Sequence, residues 1–148
     1  MKNITRSLLV LSCVLALSAC KPETPAETQA DVTEARVDAD ADTSDARVDA
    51  MNTAVEGRQD IADASKEGNA EVNDATAGAV EDNAKAAYDV AVTKADGEMK
   101  VAKEKCDALP SAQQSACNKT AEAAYDTAKA AAETEKTASE ASADAMKK

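Results

Sequence analysis

The sequence predicts an all-α protein: a long Ala-rich helix with an eleven-residue repeat, then a helical hairpin, with no globular core and part of the chain disordered. Three observations carry that prediction. Alanine dominates the apolar residues, the chain repeats itself every eleven positions, and one proline breaks the second half between two cysteines.

Hydrophobic residues make up 44% of the 148 positions, yet large ones are scarce. From Cys20 onward there are 34 Ala, against only nine Val, Ile61 and Leu109 among the large aliphatics, and there is no Trp, Phe or His. So small a set cannot offset chain entropy by forming a compact core. Ala, Glu, Lys and Gln are strong helix formers, so extended helix is expected rather than featureless coil. The formal net charge is −11 and is unevenly placed. Residues 21–82 carry five basic and 17 acidic side chains, and residues 83–148 carry ten and 11. An acidic first half argues against nucleic acid as a partner, and against adsorption to anionic lipid by charge.

Residues 1–19 read as a secretory signal peptide. Lys2 and Arg6 give a basic start, and residues 7–16 form an apolar run of ten. A membrane-spanning helix needs about 20. Leu17-Ser18-Ala19-Cys20 then matches the lipobox of bacterial lipoproteins. That resemblance implies cleavage before Cys20 and a diacylglyceryl group on its thiol. Cys13 is a poorer candidate, because Leu11 stands where a small residue is needed. The alternative is an ordinary signal peptide with a chance cysteine. Several acyl chains on one residue anchor durably, since each buried methylene contributes about 0.8 kcal/mol. Lys21 rather than Asp follows the cysteine. By resemblance to the sorting rule of such proteins, this implies the periplasmic face of the cell outer membrane. Residues 20–31, with Pro22 and Pro25, read as a flexible tether.

Residues 32–97 hold the acidic repeat. EARVDA (34–39) recurs as DARVDA (45–50), EGRQDI (56–61) and EGNAEV (67–72). Arg36, Arg47 and Arg58 fall in one column, and Asp38, Asp49, Asp60, Glu71 and Asp82 in another. Eleven residues make three turns at 3.67 per turn, so each column keeps to one helix face. The alternation that a strand would need is absent. The expected helix runs from about Asp31 to Asp107, weakened at Gly57, Gly68 and Gly78. One face is small, through Ala35, Ala39, Ala46, Ala50, Gly57 and Ala79, and the opposite face is acidic. Arg47 and Arg58 have no acid three or four residues away, so neither gains an ion pair within its helix. They flank the small face, within reach of acids on a neighbouring helix. Two readings stay open: a solvated, partly frayed helix, or close packing of the small face on another helix in a right-handed sense.

Residues 98–148 read as a helical hairpin with a Cys pair. Once Cys20 carries lipid, Cys106 and Cys117 remain, and an oxidising compartment favours a disulfide between them. On a straight helix they would stand about 16 Å apart, whereas a bridge needs Cα atoms at about 4.4–6.8 Å. Pro110 disfavours helix at Leu109, and Ser111 with Gln114 is a capping-box signature for a new helix to about Met146. The expected bridge closes a loop worth about 3 kcal/mol against the unfolded chain. Free thiols and bridges between molecules are the alternatives.

Chemistry of other kinds finds little footing. Asp38, Asp40, Asp42 and Asp49 have the spacing of a calcium loop, but Thr43 replaces its turn glycine and Asp49 its bidentate Glu. No metal or cofactor is expected. Without His or a walled pocket to shift a carboxylate pKa, the chain is not expected to be an enzyme.

Three resemblances bear on role. Residues 86–132 look like a group of small proteobacterial envelope proteins, matching at Tyr88, Cys106, Asp107, Ala108, Leu109, Cys117 and Ala121. The likeness implies envelope location and helical form but brings no activity; Pro110 departs from it, where a glycine turn is commoner. The repeat is loosely similar to group 3 late-embryogenesis-abundant proteins, which implies stress protection. With its lipid, helical body and Met146-Lys147-Lys148, the chain also resembles the murein lipoprotein family, which implies joining of Lys148 to peptidoglycan. Basic residues suit any helix C-terminus as well. The expected function is a non-catalytic envelope-structural or stress-protective lipoprotein. The alternatives are a peptidoglycan tether and a helical adaptor for an envelope protein. Expected partners are the lipid bilayer, through the acyl chains, and a further copy or an envelope protein.

Overall fold

A computed structural model describes residues 24–147 as three helices, with no strand among them. These are α1 (Pro25–Ala64), α2 (Asn69–Asp107) and α3 (Ser111–Met146). The expected all-α class is found. At 1.5 Å per residue each helix is about 54–60 Å long.

The first helix starts earlier than the tether reading of residues 20–31 allows. Thr24 is its N-cap: the Thr24 Oγ1 accepts from the Glu27 N–H at 3.3 Å, and the Thr24 N–H donates to Glu27 Oε2 at 2.8 Å. Pro25 follows in the first helical position, where its missing N–H costs nothing. This reciprocal box satisfies two otherwise orphaned donors, so residues 25–31 are helix.

The single long helix expected up to Asp107 is instead two. The repeat breaks at residues 65–68, where the Gly68 N–H bonds back to the Ala64 carbonyl at 3.3 Å. Gly68 has φ 158° and ψ 176°, a region essentially reserved for glycine. A Cβ there would also stand 2.8 Å from Glu71 Oε2. The chain reverses at this point, and α2 returns along α1.

α2 packs on both α1 and α3, and α1 and α3 do not touch. The fold is therefore an open row with α2 in the middle. Its first seam is set by two close approaches, Gly57 against Ala79 and Gly97 against Ala39. Residues 39 to 57 and 79 to 97 both span 18 positions, so the antiparallel register holds over five turns without a slip. This decides between the two readings of the small face. It packs closely, and its partner is the second half of the same repeat.

The second seam keeps the eleven-residue step. Ala84, Ala95 and Cys106 are buried on α2, and Ala121, Ala132 and Ala143 on α3. The periodicity therefore continues into α3, where only Ala121-Glu122, Ala132-Glu133 and Ala143-Asp144 mark it in the sequence. Burial is confined to small side chains, with Cys106 the largest that is fully buried. Each Ala adds little hydrophobic free energy. Close approach of the backbones adds dispersion contacts over the full helix length instead.

Candidate functional site

The corner between α2 and α3 is held by several short-range contacts. Cys106 is 1% exposed, and it stands at disulfide distance from Cys117, with Cα atoms 5.6 Å apart. The Leu109 N–H reaches the Cys106 carbonyl at 3.0 Å. Gln114 Nε2 donates to the carbonyls of Asp107 at 2.8 Å and Leu109 at 3.0 Å. The capping box expected of Ser111 and Gln114 does not form. Pro110 occupies the N-cap and makes no side-chain cap bond. Ser111 is already the first helical residue, and Gln114 turns back to cap the end of α2. Farther along the seam, Lys103 pairs with Glu122 at 2.9 Å, and the Lys136 ammonium lies 4.9 Å from the centre of the Tyr88 ring.

A groove runs along each side of the α1–α2 contact, and the two differ in sign. One, of about 670 Å³, is lined by Arg36, Arg47, Lys94 and Lys105 above Ala39 and Gly97, with Asp40 and Glu98 as its acids. The other, of about 690 Å³, carries Asp31, Glu34, Asp38, Asp42 and Glu104 against Lys100 alone. Lys100 takes a 2.8 Å ion pair with Asp96. Its pKa is raised chiefly by that bond, with Asp42 and Asp38 across the groove adding to it. Lys94 and Lys105 are eleven residues apart, as are Arg36 and Arg47. The repeat therefore sorts charge by face as well as spacing the small residues. The sequence carried the Lys94–Lys105 interval, but only the α1–α2 register reveals that it meets the Arg column.

Asp38, Asp40, Asp42 and Asp49 do not converge: Asp40 lines the cationic groove, whereas Asp38 and Asp42 line the acidic one. Among the described residues no group of three or more His, Cys, Asp or Glu is placed to hold a metal ion. Arg47 and Arg58 make no ion pair with α2, contrary to the reach expected of them. Among the described residues no helix is long and apolar enough to cross a membrane. Cys20 and Lys148 lie outside the described residues.

The row places its ends apart. Lys147 pairs with Glu81, two residues beyond Ala79, which faces Gly57 on α1. The end of α3 therefore lies level with about residue 55 of α1, some 45 Å from Pro25 at 1.5 Å per residue. The Cys106–Cys117 corner lies at the Pro25 end.

No protein-family model, curated protein or solved structure matches this chain.

Proposed function

We propose that this chain is a non-catalytic lipoprotein, held on the periplasmic face of an outer membrane by acyl chains on Cys20, with an envelope-structural or stress-protective role. The observation that carries the reading is Leu17-Ser18-Ala19-Cys20 at the end of a basic and then apolar leader. The described body suits a passive role: three long helices, two small-residue seams and grooves open to solvent. Mass spectrometry of the mature N-terminus tests it. An acylated cysteine at position 20 is expected, and an unmodified N-terminus at any residue sinks the reading.

A second reading, a peptidoglycan tether through Lys148, gains from one observation. An odd number of antiparallel helices puts the end of α3 about 45 Å along the row from the start of α1. One end of the row then serves the membrane and the other the wall. Deleting Lys148 should move a wall-bound fraction wholly into the detergent-soluble pool. An unchanged distribution removes this reading.

A further inference from the structure

We infer that the outer edge of α1 is a self-association surface, on which a second copy of this chain packs with its α1 parallel. The surface begins with the large apolar side chains that remain exposed. Val37, Val48, Met51 and Val55 are 62%, 52%, 69% and 61% exposed and all belong to α1, whereas Leu109 and Met146, outside it, are only 36% and 39% exposed. At 100° per residue they share one face, and Ala41 and Ser44 fill the turns between Val37 and Val48. No charge interrupts the spacing 37, 41, 44, 48, 51, 55. This face points away from α2, whose contacts with α1 are made through Ala39 and Gly57.

The repeat places opposite charges on the two flanks of that ridge. In Arg36-Val37-Asp38 and Arg47-Val48-Asp49 each Val has Arg one step before it and Asp one step after. The Arg side chains therefore lie about 100° to one side, with Asp40 among them, and the Asp side chains about 100° to the other, where Glu34 and Asp45 stand nearer the ridge at about 60°. Arg58 and Asp60 continue the two columns beside Gln59. None of these three Arg or three Asp takes part in an ion pair among the described residues.

Those flanks decide the orientation. Two copies meeting ridge to ridge about an axis perpendicular to the helices would be antiparallel, with Arg facing Arg and Asp facing Asp. An axis along the helices makes them parallel and exchanges the flanks, so each Arg column faces the partner copy's Asp column. Arg36 and Asp38 differ by two residues, about 3 Å along the axis, so such pairs form with the ridges in register. Val37 then meets its own equivalent, as does Val48. An isologous contact of this kind closes at two copies.

The test uses the full chain with Cys13 and Cys20 changed to Ser, carrying a single introduced cysteine on the ridge. Under mild oxidation Val37→Cys, Val48→Cys and Val55→Cys should each link to itself. Linking of Val37→Cys only when mixed with Val55→Cys would mean antiparallel packing and overturn the proposal, as would no linking at all. In the Val48→Cys chain, Arg36→Asp, Arg47→Asp and Arg58→Asp together should lower the linked fraction at least tenfold. Adding Glu34→Arg, Asp45→Arg and Glu56→Arg, the acids nearest the ridge on the other flank, should restore it. Linking that ignores these charges would overturn the proposal, with circular dichroism confirming that helix content is retained.

Discussion

Gly97 lies so close to Ala39 that a Cβ on the glycine would stand 2.5 Å from the Ala39 Cβ and 3.1 Å from its Cα. The backbone of α1 occupies the space, so no side-chain rotation relieves the clash. Gly57 against Ala79 repeats the relationship at 2.8 Å, with the glycine on the other helix. These two contacts bracket the α1–α2 seam and set how near the helices come.

Gly97→Ala should therefore destabilise the body. Overpacking costs about 1–3 kcal/mol, which outweighs the gain of about 1 kcal/mol in helix propensity. Gly78 is the control, because a Cβ there meets nothing within 4 Å. Gly78→Ala should stabilise by about 0.5–1 kcal/mol. Thermal or urea unfolding followed by circular dichroism checks both signs, and equal effects at the two positions would contradict the seam.

Removing the Cys106–Cys117 pair by Cys106→Ala and Cys117→Ala should cost about 3 kcal/mol against the unfolded chain. The loss should be local at first. Amide exchange is expected to quicken around Leu109 and in the first turns of α3, while α1 keeps its protection. Non-reducing peptide mapping supplies the prior check, since free thiols at both positions would remove the basis for the effect.

Gln114→Ala should loosen the same corner by a different route. It removes the donors to the Asp107 and Leu109 carbonyls, each worth about 0.5–1.5 kcal/mol net. Ser111→Ala should change little, because its hydroxyl caps nothing. Comparing the two unfolding midpoints separates this arrangement from the capping box, which would require both residues.

The start of α1 should respond to pH through Glu27. Its pKa is lowered, first by the hydrogen bond from the Thr24 backbone N–H and then by that from the Thr24 hydroxyl. A carboxylate depressed in the folded state stabilises above its ordinary range, and the contribution is lost as pH falls through the folded value. Amide protection in residues 26–31, taken relative to the intrinsic exchange rate at each pH, should thus fall on acidification more than protection mid-helix. Thr24→Ala should abolish that difference and weaken the first turn by about 1 kcal/mol.

The sequence by itself determined much of what depends on neighbours within a few turns, though not the Ser111–Gln114 cap. Helix is written into the Ala, Glu, Lys and Gln content, and the eleven-residue step into the columns of Arg36 and Asp38. The corner at Pro110 follows from proline's steric limits, and the proximity of Cys106 and Cys117 from that corner. The start of α1 was legible too, because Thr24-Pro25-Ala26-Glu27 is a capping signature, though Pro22 and Pro25 make it read as linker. The roles of the glycines were not legible. Gly57, Gly68 and Gly78 each interrupt the repeat with the same intrinsic cost, yet one is a contact point, one a reversal and one open to solvent. That outcome was decided by which stretch of small residues closes on which other stretch. The choice is made by packing summed over about 60 Å of paired helix. No window of sequence contains that sum, because both partners must be in place before the register exists.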